Sequence, residues 1–139
     1  MRISAQIQNQ AGRHDVRLTT NDQSRALTIP PKSTGFGSSA NGGELMLLAL
    51  ATCYCNDIYR EAEKHNIRIQ SVEVTVDGDF GAPGEPARNV VYRARVTAQA
   101  SEDAIRSLMQ QTDQVAEIQN TLRNATPVTL TQMEAVSVG

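Results

Sequence analysis

Apolar and polar residues alternate from Arg2 to Gln8, placing Ile3, Ala5 and Ile7 on one side, the period-two pattern of a half-buried strand. Asn9-Gln10-Ala11-Gly12 supplies a turn, and Val16 and Leu18 resume the alternation. Ala26 to Ile29 follows the turn signal Asn21-Asp22, so the chain opens with a three-stranded antiparallel meander. Pro30-Pro31 stops its last strand because proline donates no ladder hydrogen bond. Lys32 to Gly43 reads as a polar loop rich in glycine and serine.

At Glu44 the pattern changes. Leu45 to Ala51 is apolar without interruption and runs through Cys53 and Cys55 into a half where Asp57, Arg60, Glu61, Glu63 and Lys64 flank an Ile58-Ala62 stripe. This predicts one long helix from Glu44 to about His65, opened by an acid that complements the helix dipole. Its first half is apolar on every side and must be wrapped by other elements or meet a partner chain, which suits a central helix at a dimer interface. Its second half presents its charges to water.

Ile67 to Asp77 alternates again, and Val90 to Ala98 answers it across the loop Gly78 to Asn89, predicting a long hairpin. The loop lacks the spaced ligands and closing glutamate of a calcium loop and reads as a plain connection. Ser101 caps a second helix, with Glu102 and Asp103 in its first turn and Ile105, Leu108, Met109 and Thr112 at helical spacing. Val115, Ile118 and Leu122 form a further short helical stripe. Pro127 ends it, and Val128, Leu130 and the run to Val138 predict a final strand. The order βββαββααβ argues for an α+β fold with antiparallel sheets around a long central helix, in a single domain spanning residues 1–139.

The length of 139 residues and 40% hydrophobic content fit one domain with a real core. A net charge of -2 with scattered basic residues argues against nucleic acid and anionic membranes as partners. The longest apolar segment falls far short of the ~20 residues of a membrane span, and no signal peptide opens the chain, so a cytoplasmic location is expected. Cys53 and Cys55 are too close to staple a secreted scaffold, and no zinc set accompanies them. Free thiols in a reducing compartment, with no metal or cofactor, are expected.

A thiol in this helix is either inert packing or a nucleophile, and both readings stand at this point. His14 and His65 lack neighbours at ligand spacing and read as surface residues. Gly35-Phe36-Gly37 is too short for a phosphate loop, and Ser38-Ser39 lacks a nucleophile elbow. Asn56, Asp57, Tyr59 and Arg60 offer a polar cluster near the thiols, but Asp57-Glu61 and Arg60-Lys64 are ordinary spacings on a solvated helix face, and that reading is favoured.

Asn41-Gly42-Gly43-Glu44-Leu45, the small-apolar run into Ala51-Thr52-Cys53-Tyr54, the amphipathic half-helix and the valine-rich hairpin together resemble the OsmC/Ohr superfamily of osmotically inducible and organic hydroperoxide resistance proteins. The likeness covers nearly the whole chain and is strongest to members with Cys-Tyr-Cys-Asn-Asp at this place. It implies an intertwined homodimer with central helices packed together and two sites at the interface. It also implies reduction of organic hydroperoxides by a peroxidatic cysteine, here Cys53. A buried thiol needs a nearby positive charge to ionise. The family's arginine for this corresponds to Arg13, with Arg17 and Arg25 as substitutes.

Two departures accompany the resemblance. The Ohr branch places the glutamate that orients this arginine where this chain has Gly43, one position before Glu44, and one residue turns a helical side chain by about 100°. The family's resolving cysteine would fall within Ala116 to Asn120, yet no cysteine follows Cys55. Cys55 sits two residues from Cys53, about 200° around the helix, so turnover would need an external thiol reductant, the Cys55 of a partner chain, or local unwinding. The expected function is a one-cysteine thiol peroxidase with Cys53 as nucleophile, Arg13 as activator, and Cys55 and Glu44 as secondary candidates. The alternatives are a homologue without that activity that binds a small apolar or thiol-reactive ligand at the dimer interface, and a structural stress protein.

Overall fold

Turn chemistry sets the first hairpins. Gly12 (φ 72°) joins β1 (Ile3–Gln10) to β2 (Arg13–Thr20), and Asn21 and Asp22, both at positive φ, join β2 to β3 (Gln23–Ala26). The computed structural model describes residues 1–138. The three strands form an antiparallel sheet in the order β1-β2-β3. Ala5 stands opposite Leu18 and Ile7 opposite Val16, so the alternating apolar positions line one face. The third strand is shifted N-terminally from the expected Ala26–Ile29, because Leu27 makes the last link, from its N–H to the Val16 carbonyl, before the prolines.

α1 (Gly42–Lys64) is built of strong helix formers and has a clear signal at each end. Asn41 Oδ1 accepts from the Glu44 N–H at 2.8 Å while Glu44 Oε1 accepts from the Asn41 N–H at 3.0 Å, a reciprocal capping box. At the other end Asn66, at φ 54°, turns the chain left-handed. There Ile67 N–H bonds the Ala62 carbonyl and Asn66 N–H bonds that of Glu63, a Schellman stop.

β4 (Arg68–Asp79) and β5 (Arg88–Gln99) pair into a two-stranded sheet, followed by α2 (Glu102–Val115) and α3 (Glu117–Arg123). Ser101 Oγ caps α2 at the Ala104 N–H. The chain divides into two compact units, Met1–Leu48 with Phe80–Arg88, and residues 49–79 with 89 onward. In the second unit Tyr54, Ile58 and Ala62, one turn apart along α1, pack with Leu108 of α2 against Val72, Val74 and Tyr92 of the hairpin. Ile58 is fully buried, and its truncation to alanine would cost about 2–5 kcal/mol. No helix among the described residues is long and apolar enough to cross a membrane.

Two expectations need correction, and a third is narrowed to one of its alternatives. Residues 126–138 form no strand: Val128, Leu130, Met133 and Val136 are exposed, and an extended segment becomes a strand only where a neighbour accepts its ladder bonds. Within the chain the apolar half of α1 is not wrapped on all sides, for Leu48 is 59% exposed and Leu50 alone in Leu45–Leu50 is buried, which is the arrangement the partner-chain alternative requires. Asp57 and Glu61 do not face water. Both are buried, one turn apart beside the core, with the long side chains of Arg60 and Lys64 laid over them.

Candidate functional site

Cys53 stands midway along α1, partly exposed, and its sulfur meets groups from two helices. Four residues on, Asp57 presents Oδ2 at 3.4 Å and accepts the thiol hydrogen. From α3, Glu117 Oε2 lies at 3.8 Å, and the Ile118 backbone N–H donates towards the sulfur. Ala116, fully buried and extended (φ -69°, ψ 107°), breaks α2 from α3 and delivers these two residues to Cys53. Buried Gln119 fixes α3 further by donating to the Leu50 carbonyl at 3.0 Å.

Arg60 joins the two carboxylates, with Nη1 3.1 Å from Asp57 Oδ1 and 3.4 Å from Glu117 Oε1, and its Nε 3.1 Å from Glu61 Oε1. Burial, helped by the charges of Asp57 and Glu117, pushes the Cys53 thiol up, against the opposing pull of the Ile118 N–H. Burial also raises the Asp57 carboxyl, whereas a backbone hydrogen bond within its own residue and the Arg60 charge help hold Glu117 down. The sulfur and the two carboxylates offer donor atoms within 4.8 Å of one another, as a divalent cation would require. Arg60 already spans both carboxylates, so an added cation would meet a guanidinium.

The other candidates from the sequence lie elsewhere. Arg13 belongs to the first unit, its Nε 2.6 Å from Asp15 Oδ2, and lines with Arg17 and Arg25 one groove of about 620 Å³ on the three-stranded sheet. Glu44 has its carboxylate engaged in the capping box. Gly43 is covered by Phe80: a Cβ there would stand 2.9 Å from the ring, so a glutamate at this position would require the ring to move. Cys55 lines a shallow depression with Thr52, Asn56 and Val74. His14 is half-buried, its Nδ1 2.9 Å from Asn9 Nδ2.

Asp57 and Arg60 read as a solvated face from spacing alone, and Glu117 carried no local signal. Glu117 does fall in Ala116–Asn120, the stretch matched by resemblance to the resolving-cysteine region, and that correspondence could have found it. A separate groove of about 730 Å³ in the second unit runs between β5 and α2, lined by Tyr54, Tyr92, Ile105, Met109 and Asp113. Tyr54 donates to the Met109 carbonyl at 3.0 Å and meets Tyr92 edge-on at 5.2 Å; Tyr92 donates to Asp113, which pairs with Arg123 at 2.6 Å.

The chain is similar in fold to several solved structures. An OsmC-like protein from Mycoplasma pneumoniae is 18% identical over 88% of this chain and 89% of its own, with a TM-score of 0.59. A Legionella pneumophila protein described as organic hydroperoxide resistance protein OsmC, predicted redox protein and regulator of sulfide bond formation is 20% identical over 86% and 89%, at 0.56. An OsmC-like protein of unknown function from Vibrio cholerae is 12% identical over 87% and 93%, at 0.58. No curated protein sequence matches the chain. A model of the OsmC-like protein family matches residues 35–131, well over half of the sequence, and the chain belongs to that family.

Proposed function

We propose that this protein is a one-cysteine thiol peroxidase that reduces organic hydroperoxides, with Cys53 as the nucleophile. The observation that carries the reading is the setting of Cys53: a partly exposed thiol in the central helix, held by a buried acceptor on one side and a backbone N–H on the other. The name of the Legionella neighbour points to the same chemistry. Cys53 attacks the terminal peroxide oxygen, the S–O bond forms as O–O breaks, and the products are a sulfenic acid and an alcohol. An external thiol then condenses with the sulfenic acid, releasing water, and a second thiol frees Cys53 from the mixed disulfide.

In this reading the protein works as a cytoplasmic homodimer, and Arg13 is the candidate for bringing a positive charge to the sulfur. Glu44 is given to capping, and Cys55 serves at most as a secondary thiol. The test is consumption of tert-butyl hydroperoxide with dithiothreitol as reductant. Cys53→Ser is expected to abolish turnover, and Cys55→Ser to retain at least part. Equal turnover by wild type and Cys53→Ser would remove the peroxidase reading.

The groove beside Tyr54 and Tyr92 favours a second reading, binding of a small apolar ligand carrying a hydrogen-bonding group. Ligand-dependent stabilisation that survives Cys53→Ser would support it, and the absence of any melting shift across an apolar ligand panel would count against it.

A further inference from the structure

We propose that Asp57 is a catalytic residue at Cys53: its Oδ2, 3.4 Å from the sulfur, takes the thiol proton as sulfur attacks an electrophile and passes it to the leaving group. This rests on the reading of Cys53 as a nucleophile. With a hydroperoxide the balance is complete. The thiol proton moves to the carboxylate, the S–O bond forms as O–O breaks, and the proton moves on to the departing alkoxide, giving a sulfenic acid and an alcohol.

The geometry gives each neighbour a different part. Arg60 occupies Oδ1 of Asp57 at 3.1 Å, which leaves Oδ2 to face the thiol and fixes the carboxylate plane. Asp57 is buried, so water competes poorly for that oxygen. The Ile118 N–H points to the sulfur, where negative charge develops as the proton leaves. Asp57 itself and Glu117, 3.8 Å from the sulfur, place negative charge that disfavours a standing thiolate. Proton removal during attack avoids forming that thiolate in advance. Burial raises the Asp57 carboxyl, which makes its carboxylate a stronger base than an ordinary aspartate in water, and it raises the thiol as well, which makes a base more necessary.

A base and a bystander charge have opposite signatures. If Asp57 only adds negative charge, Asp57→Asn lowers the thiol's proton affinity and speeds the reaction. If it is the base, Asp57→Asn slows the reaction, by about a hundredfold at neutral pH, and Asp57→Glu recovers part.

The experiment follows Cys53 modification by tert-butyl hydroperoxide and, separately, by iodoacetamide, in protein carrying Cys55→Ser. Wild-type Asp57 is expected to give rates nearly flat from about pH 6 to about pH 8, whereas the Asn variant should climb about tenfold per pH unit. The wild-type profile needs no substitution at Asp57, so a steep rise overturns the assignment even if the Asn variant misfolds, and a sulfur that shows no thiolate absorbance over that range excludes a standing thiolate as the cause of a flat profile. An Asn variant as fast as wild type, or a wild-type rate rising tenfold per unit, would overturn the assignment. Flat alkylation without any hydroperoxide reaction would keep Asp57 as the proton acceptor and remove the peroxidase reading. Fast hydroperoxide loss with a steep wild-type profile would do the reverse.

Discussion

Arg60 Nη1 lies 3.1 Å from Asp57 Oδ1, so the buried carboxylate that receives the Cys53 thiol shares its other oxygen with a guanidinium. Arg60 is 45% exposed at its side chain and Asp57 8%, so solvent screens the cation while the carboxylate depends on it. Arg60→Gln is expected to cost about 2 kcal/mol at neutral pH by leaving that carboxylate short of a partner. Burial already raises the Asp57 pKa in the folded state, and Arg60 pulls it back. Removing Arg60 raises it further, so the variant's deficit should shrink as pH falls through the Asp57 titration and the folded state takes up its proton. Urea denaturation of both proteins at neutral and mildly acidic pH checks this. A deficit of equal size at both would show that Arg60 contributes packing alone.

The Asn41–Glu44 capping box assigns both side chains to holding the start of α1. Asn41→Ala should lower stability by about 1 kcal/mol, and Glu44→Ala by a similar or smaller amount. Neither should alter the modification rate of Cys53 by more than about twofold, since a cap acts within its own turn. Thermal melts paired with iodoacetamide kinetics test this. A tenfold loss of Cys53 reactivity in Glu44→Ala would return Glu44 to the site chemistry.

Burial pushes Tyr54 up to about 12 and raises Tyr92, which donates to Asp113 beside Arg123. The folded state therefore holds protons that the unfolded chain releases from about pH 10 upward. The sign follows directly: between the unfolded tyrosine value and about 12, the native state binds more protons, so stability falls as pH rises. Below that window these groups contribute no slope. Absorbance titration should show the ionisation of Tyr54 and Tyr92 delayed until unfolding. Ionisation of Tyr54 and Tyr92 near the ordinary tyrosine value in the folded protein would contradict their packing.

The fold was legible where local rules agree with tertiary ones. The meander, α1, the long hairpin and the Ser101 cap each followed from period and punctuation, because residues such as Ile7, Val16 and Ser101 meet their partners within one supersecondary unit. The final strand from Val128 was not, since alternation states that a segment could pair and says nothing of whether an edge is available. Asp57 and Glu61 were misread for a related reason. A charge on an amphipathic helix normally marks the wet face, yet here each is one step from the Ile58-Ala62 stripe and roofed by the side chains of Arg60 or Lys64. Glu117 lies 64 positions from Cys53, and such a contact depends on the break at Ala116 that aims α3.

Leu48 stands 59% exposed on the apolar half of α1, where Leu45, Met46, Leu47 and Ala49 are only half-buried, so the helix presents a continuous apolar stretch and not a lone residue. Covering it with a second copy of the chain would contribute about 2 kcal/mol per side chain, and two-fold symmetry counts each residue twice. Leu48→Asp replaces that gain with an unpaired carboxylate in an apolar contact on both sides. The expected loss of about 5 kcal/mol or more in association corresponds to a dissociation constant weaker by at least a thousandfold. Sedimentation equilibrium should then show wild type as a dimer and Leu48→Asp as a monomer with an intact circular dichroism spectrum. A wild-type mass equal to one chain at every concentration would remove the homodimer, leaving the exposed half of α1 to a different partner.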